Sequence, residues 1–158
     1  MTAQHDSQRS KVTVRPALES DASWCINQLK DFADFYGSEK SLFGDEAYAL
    51  KAFTEKINKH LVYVAEKGDE LVGFISGYIT PHIYNPHITV LTESFWWVMP
   101  EHRGSRAGYL LFRAFVDFGR ENCDWVITTL ESHSPVKDEF LLKQGFKEKE
   151  RSFIYEVN

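Results

Sequence analysis

The stretch "PEHRGSRAG", residues 100–108, lies between the aromatic run SFWWVM (94–99) and the apolar stretch YLLFRAFVDF (109–118). The first flank reads as the end of a strand. The second reads as a helix, with Leu111, Phe115 and Phe118 on one face and Arg113 and Asp117 paired four apart on the other. A glycine-rich turn between a strand and a helix aims several unpaired backbone N–H groups at one point, in front of the helix dipole, and that arrangement binds phosphate. Glycine lets a ligand come close to the backbone, and Arg103 and Arg106 add cationic donors. Taken alone, the turn also reads as an ordinary connection carrying solvated arginines. Two nucleotide sites are excluded: Gly-Lys-Ser/Thr is absent, and so is the Gly-x-Gly-x-x-Gly fingerprint.

The surrounding elements decide between these readings. Residues 11–17 (KVTVRPA) alternate as a first strand, and 19–37 carry helical spacing through Cys25, Leu29, Phe32 and Tyr36, with Ser20 or Asp21 as cap and Gly37 as stop. A second helix runs over 44–60, acidic in its first turn and basic in its last. Strands over 60–68 and 70–80 meet at a Lys67-Gly68-Asp69 turn. Residues 81–87 read as a loop with two prolines, 88–99 as a long strand and 124–130 as another. A short helix follows, with Ser134 as cap, Pro135 at its first position and Gly145 past its end. Residues 146–158 supply one or two closing strands. The reading is α/β (α+β): one domain over 11–158 after a flexible tail at 1–10, with a mixed central sheet of six or seven strands and about four flanking helices.

Composition agrees. The chain has 158 residues, 43% hydrophobic and 15% aromatic, so it can bury a real core. A formal charge of −5 gives no general attraction to nucleic acid or anionic lipid. The apolar runs are too short to span a bilayer, and the polar start MTAQHDSQRS shows no secretory signal. Two distant cysteines, Cys25 and Cys123, suit reduced thiols in a cytoplasmic protein. Histidines 82, 87, 102 and 133 follow no zinc spacing, so no metal is expected.

Over about residues 12–157 the order of elements resembles the GCN5-related N-acetyltransferase (GNAT) family. Val98-Met99-Pro100 resembles the family's strand end, and Arg103-Gly104-Ser105-Arg106-Ala107-Gly108 its Arg/Gln-x-x-Gly-x-Gly/Ala motif; Lys143 to Phe146 (KQGF) resembles its second anchor. The resemblance implies direct attack of an amine on acetyl-CoA. The pantetheine arm would lie along Trp97, Val98 and Met99, and the pyrophosphate on the amides from Arg103 to Tyr109. Family members often pair through sheet edges, which leaves a homodimer open. Arg106 stands where the family prefers glycine. A helical φ would tolerate it, and the side chain could then reach the pyrophosphate or the 3′-phosphate of coenzyme A.

A lysine-like acceptor has a pKa near ~10.4 and must lose a proton before attacking. Glu93 is the only acid in the central strand and the first choice of base; Glu131 or His133, after the next strand, is the second. A solvent-facing Glu93 with no such role is the competing reading. The family's usual tyrosine proton donor is missing, because its place holds Leu141. The resemblance implies an acceptor pocket made by the first two helices and the loop between the third and fourth strands, which puts acceptor contacts on Phe35, Tyr36 and Tyr84, among acids suited to a cationic amine. Leu141 and Arg106 keep alive an alternative, a GNAT-like module that binds CoA or another protein without turnover. An exposed Trp96 or Trp97 would favour a protein-docking surface.

Overall fold

β-Branched and aromatic residues dominate the middle of the chain, and there they form the sheet on which everything else is mounted. A computed structural model describes residues 11–36 and 42–157, apart from the side chains of Phe35 and Tyr36. Residues 1–10 and Gly37, where the tail and the glycine stop are expected, lie outside the described residues. The strands are β1 (Val12–Pro16), β2 (Leu61–Lys67), β3 (Glu70–His82), β4 (Asn85–Val98) and β5 (Trp125–Ile127). The helices are α1 (Ala22–Tyr36), α2 (Glu46–Lys59), α3 (Ala107–Asn122) and α4 (Asp138–Lys143). The sheet order is β1-β2-β3-β4-β5. Its first three junctions are antiparallel and the last, β4 with β5, is parallel.

Local chemistry sets most boundaries. Asp45 caps α2, its carboxylate accepting from the Tyr48 N–H at 2.9 Å. Gly68 supplies the positive φ, 64°, that turns β2 into β3. Asp21 ends a short 3-10 turn ahead of α1, but its carboxylate reaches back to the Leu18 N–H (2.8 Å) and the Arg15 guanidinium (2.8 Å). That half-buried pair holds the Asp21 carboxyl below its ordinary range and ties β1 to the start of α1.

Three expectations are corrected. Residues 81–87 are not a loop: β3 continues to His82 and β4 starts at Asn85. β2 pairs with β3 only as far as Gly77, and β5 pairs with β4 only from Val90. Pro81 and Pro86 therefore sit where each strand has a free edge and no ladder partner is lost. The last helix begins at Asp138, because Ser134 folds into a local turn, its Oγ accepting from the Val136 N–H at 3.2 Å. Finally, the sheet has five strands among the described residues, not six or seven. Residues 146–157 form none: β5 offers only three paired residues, and the run KEKER (147–151) has no apolar face to bury.

The sheet separates two cores. On one face α1 and α2 cover Val62, Val64, Phe74 and Trp97. On the other, α3 covers Ala65, Val72, Ile75 and Leu91 with Leu111 and Phe115. This second layer is tight. A Cβ on Gly77 would lie 2.6 Å from the Thr92 carbonyl oxygen and 2.8 Å from the Phe115 ring. A Cβ on Gly119 would lie 2.3 Å from a Val126 methyl. Gly77→Ala should accordingly cost about 2 kcal/mol or more, since strand backbone and a packed ring must both yield. Urea unfolding checks this; an unchanged midpoint would show that the layer relaxes freely.

Candidate active site

Parallel strands β4 and β5 stay paired for three residues, Val90 with Trp125, Leu91 with Val126 and Thr92 with Ile127, and then part. Glu93 is the first residue beyond the last pair. Its Oε2 accepts from the Thr128 hydroxyl at 3.0 Å and from the Thr129 N–H at 3.2 Å, so the carboxylate bridges the gap at its apex. On the other side of β4, the register against β3 slips at Ser94, because Ser76 faces Phe95 while Gly77 faces Glu93. That bulge re-aims the strand just where the gap opens. The result is a cleft of about 440 Å³ between β4, the turn at 100–108 and the segment after β5.

The turn forms the far end of the cleft. After Val98, a 3-10 turn over Pro100–His102 leads to Gly104, whose φ of 84° requires glycine. Arg106 has φ −77° and ψ −3°, a helical conformation, and serves as N-cap residue of α3. Arginine is therefore sterically free at this position. Among the described residues, the N–H groups of Gly104, Arg106, Gly108 and Tyr109 meet no acceptor. These donors, at the head of a 16-residue helix, fit an anionic pyrophosphate. Arg103 is anchored: its Nε donates to the Val98 carbonyl at 3.1 Å, and its guanidinium lies 4.6 Å from the Trp97 ring centre.

Of the residues singled out by sequence, Glu93, Trp97, Val98, Arg103, Gly104, Ser105, Gly108 and Glu131 line the cleft. Met99, Arg106, Ala107, Tyr109, Tyr84 and His133 do not. Met99 donates its N–H to the Val72 carbonyl at 3.0 Å, and Ala107 is wholly buried under the helix. Arg106 and His133 are exposed beside the cleft. Tyr109 also faces out, its hydroxyl accepting from Arg113 at 3.3 Å. Tyr84 is 89% exposed on the β3–β4 hairpin. Phe35 and Tyr36 close α1, their side chains outside the description; Phe32, one turn earlier, lines the cleft and meets Phe95 edge-on at 5.4 Å.

Burial dominates the electrostatics. The Glu93 carboxyl is pushed up to about 7, chiefly by desolvation and slightly by Glu131, against the Thr129 and Thr128 bonds and the Lys56 charge. Cys25 is fully buried with its thiol pushed up to about 12, which disqualifies it as a nucleophile. Among the described residues no tyrosine lines the cleft, and Leu141 stands where the family resemblance puts a proton donor. Trp97 is buried with its Nε1 donating to Gln28 at 2.9 Å, and Trp96 stacks on Phe112 at 5.0 Å. Neither offers an exposed docking surface.

Sequence reading passed over Thr128 and Thr129, whose role follows from where β5 leaves β4, and Lys56, buried on α2. Nothing in a helical pattern flags Lys56; it occupies an ordinary apolar-face position one turn after Phe53.

Comparison with known proteins accords with this site. Residues 27–146 match the model of the Acetyltransferase (GNAT) family. The chain is 28% identical over 145 residues to the uncharacterized N-acetyltransferase YhfO of Bacillus subtilis, covering 91% of this chain and 95% of that one. A predicted acetyltransferase of Clostridium acetobutylicum, solved with acetyl-CoA, superposes with a TM-score of 0.73 at 16% identity, over 94% and 96% of the two chains. A protein of Bacillus halodurans described as a transcriptional regulator superposes at 0.72 with 21% identity, over 93% and 100%. A cleft opened by parting strands, a turn of free N–H groups at its end and a family match across most of the fold lead to one conclusion: the chain belongs to the GNAT family of acetyltransferases, acyltransferases that draw their acetyl group from acetyl-CoA.

Proposed function

We propose that this chain acetylates a primary amine, on a small molecule, a peptide N-terminus or a lysine, by direct attack with Glu93 as the base. The observation that carries this reading is a buried carboxyl, at about 7, at the apex of the cleft where the strands part. An alkylammonium with a pKa near ~10.4 has to surrender a proton, and a base poised near neutrality accepts it efficiently. Thr128 and Thr129 hold one carboxylate oxygen, which leaves Oε1 for the incoming amine or an intervening water. Glu131, exposed at the cleft wall, draws a cation inward and is the second candidate base, with His133 beside it. Phe35 and Tyr36 at the end of α1 and Tyr84 on the hairpin are the proposed acceptor contacts.

Acetyl-CoA, when bound, supplies the acyl group and a thiolate leaving group. In this reading the free N–H groups of Gly104, Arg106, Gly108 and Tyr109 hold its pyrophosphate, and its arm lies along Trp97, Val98 and Met99 at the end of β4. The exposed Arg106 reaches the 3′-phosphate. Without a tyrosine donor, departure rests on the acidity of the thiol itself, roughly 8.5. The same absence favours the alternative of a coenzyme-binding module without turnover. We place the protein in the cytoplasm, as one domain over 11–158, with Cys25 and Cys123 unpaired; a homodimer paired through sheet edges is proposed from the family habit.

Glu93→Gln keeps the hydrogen-bond acceptor and removes the base. It should leave acetyl-CoA affinity unchanged in a calorimetric titration and cut acetyl transfer at least tenfold, about 1.4 kcal/mol of barrier. Equal rates would exclude Glu93 and turn attention to Glu131. For the wild type, kcat/KM should rise with pH up to about 7 and then level, because only the ionised Glu93 accepts a proton; that limb disappears in Glu93→Gln. Arg106→Ala should weaken acetyl-CoA binding about fivefold, ~1 kcal/mol for an exposed charge pair. Its affinity for 3′-dephospho-CoA should match that of the wild type. Equal losses for both ligands would move Arg106 to the pyrophosphate.

A further inference from the structure

Lys56 is a cation with no place in the function so far. It projects from α2 into the layer between helix and sheet and is 4% exposed. Its Nζ donates to Ser94 Oγ at 3.0 Å and lies over three rings, 4.3 Å from the centre of Tyr78, 5.3 Å from Phe95 and 5.6 Å from Phe53. Ser94 passes the contact on, its hydroxyl 3.1 Å from Ser76 Oγ and 3.2 Å from the Ser76 carbonyl oxygen. No carboxylate within ion-pair distance of the ammonium exists among the described residues. A buried charge held only by a hydroxyl and ring faces is expensive, and a methionine would fill the same space at less cost.

The bulge explains where this charge acts. An extra residue in β4 turns two successive side chains, Ser94 and Phe95, toward α2, and both touch Lys56. The residue immediately before them is Glu93. Ser94, Phe95 and Glu93 all line the cleft while Lys56 does not, so the ammonium stands just behind the cleft wall. Among the described residues no carboxylate pairs with it, and Lys56 and Glu93 each favour the charged form of the other.

We propose that Lys56 is a positioning residue for Glu93: a fixed positive charge behind the wall, held by Ser94, that keeps the carboxylate ionised and ready to take a proton. The proposal rests on the reading of Glu93 as base. The charged and titratable groups around the pair are few. Glu131, from the segment after β5, opposes ionisation of Glu93, whereas the Thr128 hydroxyl and Thr129 N–H support it. Tyr78 of β3 faces Lys56, and His60 at the end of α2 packs on Tyr78 at 5.0 Å, its Nδ1 engaged by the Ile79 N–H. Burial pushes the ammonium down to about 8 while Glu93 holds it up, so the charge is present where the carboxylate titrates.

The test reads Glu93 directly. Protein labelled with ¹³C at the glutamate carboxyl is titrated by NMR, and the Glu93 signal is assigned by its loss in Glu93→Gln. The wild-type midpoint should fall at about 7. In Lys56→Met it should move up, by less than burial has already raised it, because the Lys56 charge is the smallest of the influences on Glu93. Lys56→Gln, a second neutral variant, should shift it the same way, and Lys56→Arg should return it toward the wild-type value. The acid limb of acetyl transfer should move with the signal. A folded Lys56→Met or Lys56→Gln whose Glu93 midpoint stays put, or falls, overturns the proposal. If the midpoint moves but Glu93→Gln transfers acetyl normally, the electrostatic coupling holds and the base assignment is what fails.

Discussion

The parting of β4 from β5 after Thr92 and Ile127 governs this molecule. Two parallel strands that separate leave backbone groups and side chains facing a gap that neither can close, and such groups need partners. Glu93 answers part of that need by accepting from Thr128 and Thr129, which also fixes how far the strands have opened at that level. Burial at that apex takes the carboxyl out of water and raises its ionisation to about 7, against the pull of those two bonds. The structural bridge is thus also the proposed proton acceptor, and it lies between α3, packed on Gly77 of β3, on one side of the sheet and α2 with Lys56 on the other.

Two kinds of electrostatics meet in the cleft and do not compete. At the turn, the helix head and free N–H groups favour negative charge, the place proposed for phosphate. At the apex, Glu93 and Glu131 favour positive charge, the place proposed for the amine. On that proposal a donor and an acceptor of opposite charge enter the gap between the strands in one orientation. An overall acidic chain with a cationic turn follows from that division of labour.

Much of the architecture was legible because its signals are local. Asp45 at the start of α2, Gly68 between β2 and β3, and the apolar face of α3 each announce an element within a few residues. The turn with Gly104 and Arg106 was legible for the same reason, down to the helical φ of the arginine. The hairpin at Pro81 and Pro86 was misread because proline is tolerated only at free edges, and which edges are free depends on how far β2 and β5 reach. The closing strands were overcounted because periodicity does not reveal whether a neighbouring strand is long enough to receive them. Lys56, Thr128 and Thr129 were invisible for a related reason: their partners lie 35 to 38 residues away, and a bulge of one residue decides which face they meet.

The turn at 100–108 separates two obligations that are often fused. Gly104 alone carries the backbone's requirement, with its φ of 84°, whereas Arg106 sits in a conformation open to any residue. Mutation can therefore rewrite the charge and reach of position 106 without disturbing the path of the chain. Given the coenzyme contact proposed for Arg106, a lineage adapting to a different acyl carrier has a dial there that it can turn in single steps while the scaffold stays folded.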